Sequence, residues 1–342
     1  MENLTARHQP TPQPASSFGM EDFVSDVEGE EGEYILDGVD IASYSGESLG
    51  SRRARTSSSS VQLDFYDYFQ RAKQWQKLIG NSLGVTLSLF ESLLERAGTM
   101  ESEGASSDRW CGCEQTSQQI MNDIPRTFSS LFQFQDKSEQ LMQCLTAWVF
   151  MRPDIGYVQG MSNLCGIILM VEGDTFTTFV CLSNLIVNSV ILTRLFYMSE
   201  SDVNILFRMY NQLCKTYVPE ALQHLENHNI APHSYLLDWW ITFFSRALPL
   251  STTLHLWDLW LVEGDKFFFQ AAVGLLKTLS PRLCSMKEQK MIQNCLLNIK
   301  GEGEDWEGQL YENIASIQLS HHYLKTEFAK HGWPPPKTNQ QL

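Results

Sequence analysis

The sequence has little positive charge. It carries 25 lysines and arginines against 40 aspartates and glutamates, which gives a formal net charge of −15 over 342 residues. A nucleic-acid-binding surface needs a basic patch or stripe, so the composition argues against a nucleic-acid partner. Anionic lipid headgroups would also repel an acidic protein. We therefore expect any membrane association to be indirect and to run through a protein partner.

The sequence also lacks the common catalytic and phosphate-binding motifs. It contains no G-x-x-x-x-G-K-[ST], no G-x-G-x-x-G after a strand and no G-x-S-x-G, so we expect no nucleotide site or serine nucleophile within this chain. His224 and His228 have the i, i+4 spacing of a helical zinc site, but Glu226 is not at the position that the H-E-x-x-H motif requires. A solvated helix face is favoured over a zinc site.

The eight cysteines form no C-x-x-C pair. Most lie in apolar runs, which predicts reduced, buried thiols and a cytoplasmic location. Cys111 and Cys113 are the one close pair, and no second ligand pair accompanies them, so we predict no metal site. The N-terminus has no apolar signal segment. The apolar run from Phe176 to Met198 contains too many polar residues for a membrane span, and it predicts a buried helix instead.

Composition divides the chain into three parts. Residues 1–60 contain eleven acidic residues and four arginines, together with many serines and glycines, so we expect a disordered acidic tail. Residues 61–328 are rich in apolar and aromatic side chains and predict one large helical domain. Residues 329–342, with three consecutive prolines, predict a flexible C-terminal tail.

Helical spacing of apolar residues recurs along the central part, and no segment shows convincing strand alternation. The sequence therefore predicts an all-α fold. We expect helices from about 65 to 79, with Gly80 ending the first, and at 87–96, 137–151, 176–198, 202–216, 218–228, 233–247, 251–262, 265–280 and 286–299. Asp174 is the predicted N-cap of the helix that begins at Phe176.

Two short stretches combine one long polar side chain with residues that restrict the backbone. Arg126 follows Pro125, which disfavours the α conformation at Ile124, and Gln159 precedes Gly160. A guanidinium suits phosphate oxygens, and a glutamine amide can hold a water, which are the groups that phosphoryl transfer to water requires from outside a nucleotide site. Spacing alone leaves two alternatives open: an ion pair between Asp123 and Arg126, and a simple turn around the glutamine.

The sequence motifs in and around these stretches resemble those of a known family. Residues 120–128 contain I-x-x-D-x-x-R-T-F, residues 152–162 read R-P-D-I-G-Y-V-Q-G-M-S, and residues 235–264 contain Y-L-L-D-W-W, L-P, L-W-D and E-G in order. Residues 71–81 resemble the family's N-terminal helix. Together the four blocks, over about residues 70–325, are similar to TBC domains, which are GTPase-activating proteins for Rab-family small GTPases.

This resemblance implies an all-helical, two-lobed, V-shaped domain that is not an enzyme by itself. Arg126 is then the arginine finger and Gln159 the glutamine finger, both supplied in trans, while Asp123 braces the arginine. Tyr157 and Gly160 shape the loop that presents Gln159. GTP and Mg²⁺ are carried by the partner Rab GTPase, so the chain needs no cofactor of its own. The implied role is in vesicle trafficking, in the cytoplasm and peripherally at endomembranes.

One departure from the family pattern concerns the segment before Arg71. The family has a Trp-x-Gly-apolar-Pro segment there, whereas this chain has serines followed by residues 61–69. The departure puts in question the first helix and part of the GTPase-binding surface. It motivates the alternative of a catalytically weak TBC-like scaffold that binds a GTPase or another trafficking protein without accelerating hydrolysis. A helical protein without a GTPase partner is the third possibility.

Overall fold

A computed structural model describes residues 65–102, 116–128, 136–299, 301 and 305–335. These parts of the chain contain fifteen α-helices and no strand, so the all-α fold is confirmed. The predicted acidic tail and the Cys111–Cys113 pair lie outside the described residues. The helices are α1 Phe65–Ile79, α2 Leu87–Ser102, α3 Ser117–Asp123, α4 Ser138–Met151, α5 Met161–Glu172, α6 Thr175–Asn188, α7 Val190–Phe196, α8 Glu200–Tyr217, α9 Pro219–Asn227, α10 Leu236–Ile241, α11 Leu250–Glu263, α12 Lys266–Ser285, α13 Gln289–Leu297, α14 Trp306–Ala315 and α15 His321–Lys330.

The helices pack in two groups. In the first group α4 contacts α2, α5 and α6, and in the second α12 contacts α8, α9, α11 and α14. Two helices connect the groups, since α7 packs on both α6 and α8, and α1 packs on both α5 and α11. The central helices α5 and α12 are buried along most of their length. This arrangement agrees with the two lobes that the sequence resemblance implies.

The apolar run 176–198 forms two helices rather than the one expected. Asp174 caps α6 as predicted, by accepting hydrogen bonds from the amides of Phe176 (3.2 Å) and Thr177 (2.8 Å). The chain then turns by 94° between α6 and α7. The buried carboxylate of Asp265 stabilises this turn, because it accepts hydrogen bonds from Ser189 Oγ at 2.6 Å and from the Val190 amide at 2.9 Å. No single helix in the described residues is long and apolar enough to span a membrane.

The helix predicted at 233–247 is also shorter than expected. A 3-10 turn at Pro232–Ser234 precedes α10, which ends at Ile241. The chain then turns at Phe243 and Phe244, whose φ angles of 41° and 65° are incompatible with a right-handed helix. Both phenyl rings are fully buried. Aromatic packing therefore stabilises a backbone conformation that residues other than glycine rarely adopt.

The C-terminal part contains two helices that periodicity did not reveal, α14 and α15. The expected flexible tail at 329–342 is wrong for its first residues, because α15 continues to Lys330 and Trp333 is only 6% exposed. The indole of Trp333 packs on Phe328, with ring centroids 5.4 Å apart. The guanidinium of Arg194 lies 5.4 Å from the centre of the Trp333 ring. These two contacts fix the chain as far as Trp333.

Candidate functional site

Arg126 ends a short 3-10 helix that continues directly from α3. Ile120 and Ile124 bury one face of this segment, which leaves the arginine exposed on the other. Ile124 has φ −55° and ψ −48°, so the expectation that Pro125 moves it out of the α region is wrong. The burial of Ile124 and the hydrogen bond from the Thr127 amide to the Ile124 carbonyl at 3.0 Å stabilise the helical turn.

Gln159 lies in the loop between α4 and α5, one residue before the N-cap of α5. Its side chain is half-buried, and the next residue, Gly160, has a φ of 100°. A Cβ at Gly160 would lie 3.2 Å from two side-chain carbons of Ile241 and 3.3 Å from Cγ2 of Thr242. Only glycine satisfies both the left-handed backbone and this close approach to the end of α10.

Tyr157 connects the two stretches. Its hydroxyl donates a hydrogen bond to Oδ2 of Asp123 at 2.7 Å, and its amide donates to Oγ1 of Thr116 at 2.8 Å. The phenol is 3% exposed. Burial raises the pKa of Tyr157 well above its ordinary value, so the hydroxyl stays protonated and remains a donor.

A second connection lies on the other side of Arg126 and Gln159. The Thr127 hydroxyl lies 2.9 Å from the Asp123 carbonyl oxygen and 2.8 Å from Oγ of the buried Ser162. The Thr127 hydroxyl has a single proton, which it donates to one or the other of these two oxygens. Sequence reasoning gave Thr116, Thr127 and Ser162 no role. The signal that was available is a pair of small hydroxyl residues next to the two motifs.

The two connections bring the predicted site residues together. Asp123 and Thr127 flank Arg126, and their partners Tyr157 and Ser162 flank Gln159. Within the described residues the side chains of Arg126 and Gln159 form no hydrogen bond or ion pair with other side chains, so both polar groups remain available for a ligand.

The bracing of Arg126 by Asp123 that the resemblance implies is not a direct ion pair in the described residues. The Asp123 carboxylate accepts from Tyr157 instead, and among the described residues it forms no ion pair with Arg126. The described residues therefore give the ion-pair alternative no support. Asp123 supports the arginine indirectly, because it fixes the end of α3 from which the 3-10 helix continues.

The first helix is formed despite the atypical segment before Arg71. The Arg71 guanidinium makes a bidentate contact with the Asp258 carboxylate on α11, at 3.0 and 3.1 Å from Nε and 3.0 Å from Nη2. Trp75 Nε1 donates to the same carboxylate at 2.7 Å and its ring stacks on Trp257, with centroids 5.2 Å apart. The contacts of Asp258 therefore attach α1 to the second group of helices. Residues 57–64 lie outside the described part of the chain.

Metal-ligand geometry is not found in the described residues, where no group of three or more His, Cys, Asp or Glu side chains is arranged to hold an ion. His228 Nδ1 lies 2.8 Å from the His224 carbonyl oxygen. Six cysteines are described as free thiols, and five of them are buried, which agrees with the predicted reduced core.

Comparison with known proteins identifies the family of this chain. Residues 68–284 match the Rab-GTPase-TBC domain family. This chain belongs to that family. TBC1 domain family member 14 of Homo sapiens is 32% identical over 266 residues, which cover 73% of this chain and 37% of that protein. Drainin of Dictyostelium discoideum is 32% identical over 203 residues, covering 58% and 45%. The chain thus spans little more than a third of the human relative.

Two solved TBC domains share the fold. The RabGAP TBC domain of a Chlamydomonas flagellar protein has a TM-score of 0.58 and 19% identity, covering 72% of this chain and 79% of that one. The Ypt/Rab-GAP domain of Gyp1p has a TM-score of 0.57 and 22% identity, covering 73% and 88%. The all-helical TBC fold described above is therefore a known one. Arg126 and Gln159 both lie within the matched range, residues 68–284.

Proposed function

We propose that this chain accelerates GTP hydrolysis by a Rab-family GTPase and supplies Arg126 and Gln159 in trans. The observation that supports this most directly is the pair of connections, Tyr157 to Asp123 and Thr127 to Ser162, on either side of two side chains that have no partner in the described residues. Such an arrangement holds the backbone of both stretches and leaves the two polar ends available to a ligand.

The chemistry assigned to each finger follows from its functional group. Arg126 is permanently charged and planar, so its guanidinium stabilises the negative charge that spreads over the phosphoryl oxygens in the transition state. The Gln159 amide accepts a hydrogen bond from the attacking water and donates one to a phosphate oxygen, which holds the water in line. GTP and Mg²⁺ are bound by the partner GTPase.

An arginine finger raises the hydrolysis rate by ~10³–10⁵, which corresponds to about 4–7 kcal/mol of barrier at roughly 1.36 kcal/mol per decade. This is more than one surface ion pair contributes to protein stability. The arginine therefore acts by stabilising negative charge that develops on the phosphoryl oxygens only in the transition state.

The cellular role that we propose follows from the partner. A Rab-GTPase activator ends the GTP-bound state of its Rab and so regulates vesicle trafficking. The chain carries a net charge of −15, so contact with endomembranes is assigned to the membrane-bound GTPase rather than to anionic lipid.

The test is a panel of GTP-loaded Rab-family GTPases incubated with the full chain. Hydrolysis is measured in single turnover, and binding is measured in parallel by pulldown. We expect at least one Rab to hydrolyse GTP roughly 10³-fold faster or more. Binding without acceleration across the whole panel would identify a scaffold. Absence of both would leave a helical protein without a Rab partner, and either result would reject the proposal.

A further inference from the structure

A cluster of three polar side chains lies at the start of the loop that carries Gln159. Arg152 makes a bidentate contact with Asp154, with Nε–Oδ1 and Nη2–Oδ2 distances of 2.8 and 2.7 Å. The hydroxyl of Tyr197 completes the cluster, at 3.1 Å from Arg152 Nη2 and 2.9 Å from Asp154 Oδ2. The tyrosine accepts from the guanidinium and donates to the carboxylate. It thus links the end of α7 to a loop more than 40 residues earlier.

The cluster stabilises the backbone on which Gln159 depends. The Arg152 carbonyl accepts hydrogen bonds from the amides of Ile155 (3.0 Å) and Gly156 (2.8 Å). The Gly156 carbonyl accepts from Trp148 Nε1 at 3.0 Å. The Arg152 guanidinium lies 5.9 Å from the centre of the Trp148 ring. Both sides of Gly156 are therefore attached to the end of α4, three residues before Gln159.

The position of Tyr197 is itself determined by an unusual turn. Met198 has a φ of 50°, which is uncommon for a residue other than glycine. Its side chain packs against the core, and this burial stabilises the conformation. The turn leaves the tyrosine ring 41% exposed, so little hydrophobic burial holds Tyr197 in place. The hydrogen bonds of its hydroxyl with Arg152 and Asp154 are therefore the interactions that hold Tyr197 in this position.

We propose that Tyr197, acting through Arg152 and Asp154, is a positioning residue for Gln159. The inference rests on the proposed function for its catalytic consequence, but the holding of the loop is a property of the free chain. An exposed ion pair on its own contributes little stability. A bidentate pair with a third hydrogen-bonded partner restricts orientation more than a single contact does. The expected result of losing it is a misplaced glutamine rather than an unfolded protein.

The charge state of the cluster is constant over the pH range of an assay. Hydrogen bonds from Arg152 lower the pKa of Asp154 to about 2, and burial raises the pKa of Tyr197. The carboxylate is therefore ionised and the phenol protonated near neutral pH. Any effect of a substitution then comes from lost hydrogen bonds rather than from a changed titration.

The decisive variant is Tyr197→Phe, which removes one hydroxyl and keeps the ring. Tyr217→Phe is its matched control, because the Tyr217 hydroxyl also makes two contacts, at 3.1 Å with the Gln318 carbonyl and 3.0 Å with the Gln318 amide. Hydrogen exchange of the full chain, without any GTPase, measures the opening of residues 152–161. We expect exchange there to rise by roughly fivefold in Tyr197→Phe and to be unchanged in Tyr217→Phe. Unchanged exchange in Tyr197→Phe would overturn the proposal.

A kinetic measurement tests the consequence for catalysis. With a Rab that the wild-type chain accelerates, we expect Tyr197→Phe to lower the maximal hydrolysis rate by roughly tenfold, because misplacement of a catalytic group by about 1 Å costs up to ~10²-fold. The half-saturating concentration should change by less than about twofold. Asp154→Asn should act in the same direction. A raised half-saturating concentration with an unchanged maximal rate would make Tyr197 a docking contact and overturn the proposal. If wild type accelerates no Rab, the proposed function fails, and hydrogen exchange alone decides the inference.

Discussion

Two of the regions that contain left-handed backbone, the aromatic core at Phe243 and the loop at Gly160, are stabilised by different interactions. In the aromatic core, Phe243 and Phe244 have φ angles of 41° and 65°, and four aromatic neighbours of Phe243 lie within 6 Å, among them Trp260 at 4.1 Å and Phe268 at 4.9 Å. Beside Gln159, Gly160 has a φ of 100°, and the surrounding loop combines buried side chains such as Ile155 and Val158 with a few polar contacts. Several aromatic rings together stabilise the backbone at Phe243. In the Gln159 loop, by contrast, no second contact replaces a polar contact that is lost.

This difference indicates which region determines the stability of the domain and which region contains side chains that can be substituted without loss of stability. Dense packing around Phe243 is expected to make that region the stable part of the domain. Arg126 is exposed and Gln159 is half-buried, so neither side chain contributes much to folding. Substitutions in the core should therefore reduce stability first, while substitutions of the fingers should reduce rate without affecting stability.

The largest loss of stability is expected for Trp240→Ala. The Trp240 ring is fully buried, its Nε1 donates to the Phe268 carbonyl at 3.1 Å, and its centroid lies 5.3 Å from that of Phe269. Truncation should lower the free energy of unfolding by about 3–5 kcal/mol, measured by urea denaturation of the full chain. A urea midpoint equal to that of wild type would contradict the role assigned to this core.

Gln159→Ala should show the opposite behaviour. We expect the stimulated hydrolysis rate to fall by roughly 10²–10³-fold, as for the loss of one preorganised donor in other active sites. The free energy of unfolding should change by less than about 0.5 kcal/mol. Gln293→Ala is the control, since that glutamine is also half-buried but lies in α13. If both variants kept wild-type activity, Gln159 would have no catalytic role.

Gly160→Ala joins the two regions, because the new Cβ would press on Ile241 and Thr242 at the end of α10. A non-glycine residue at this φ, together with these contacts, should cost about 1–3 kcal/mol of stability and also displace Gln159. Gly98→Ala is the control, because nothing lies within 4 Å of a Cβ built there in α2. Equal urea midpoints for the two variants would mean that the loop is not constrained at Gly160.

The smallest effect is expected for Thr127→Val, which removes the hydroxyl that contacts the Asp123 carbonyl and Ser162. The loss should lower the free energy of unfolding by about 1 kcal/mol and reduce the stimulated rate. Thr326→Val serves as control, because the Thr326 hydroxyl is exposed and donates only to the His322 carbonyl at 2.9 Å. A rate and stability equal to those of the control would show that the Thr127–Ser162 connection does not hold the site.

Local pattern was enough to predict most of the helices. The predicted helix at 137–151 agrees with α4 to within one residue at its start, because its apolar spacing is regular. The break at Ser189 was not predictable in this way, since the carboxylate that stabilises it belongs to Asp265, 76 residues later. The early end of α10 likewise depends on rings contributed by α11 and α12.

At the candidate site, too, the local sequence predicted some features, whereas others depend on contacts between distant residues. The motifs identify Arg126 and Gln159, and simple chemistry suggests their roles. Spacing could not show that Asp123 contacts Tyr157 instead of Arg126, nor that Thr127 meets Ser162, because these contacts arise only when α3 and the start of α5 come together. The link from Tyr197 to the Gln159 loop is of the same kind, since it joins residues more than 40 positions apart.

The most direct test of the account is single-turnover hydrolysis with Arg126→Ala, using a Rab that the wild-type chain accelerates. Arg208→Ala is the matched control, since Arg208 is also an exposed arginine and lies on α8. We predict that Arg126→Ala loses ~10³-fold or more of the stimulated rate while the urea midpoint stays at the wild-type value, and that Arg208→Ala retains full activity. Wild-type acceleration by Arg126→Ala would contradict the central claim.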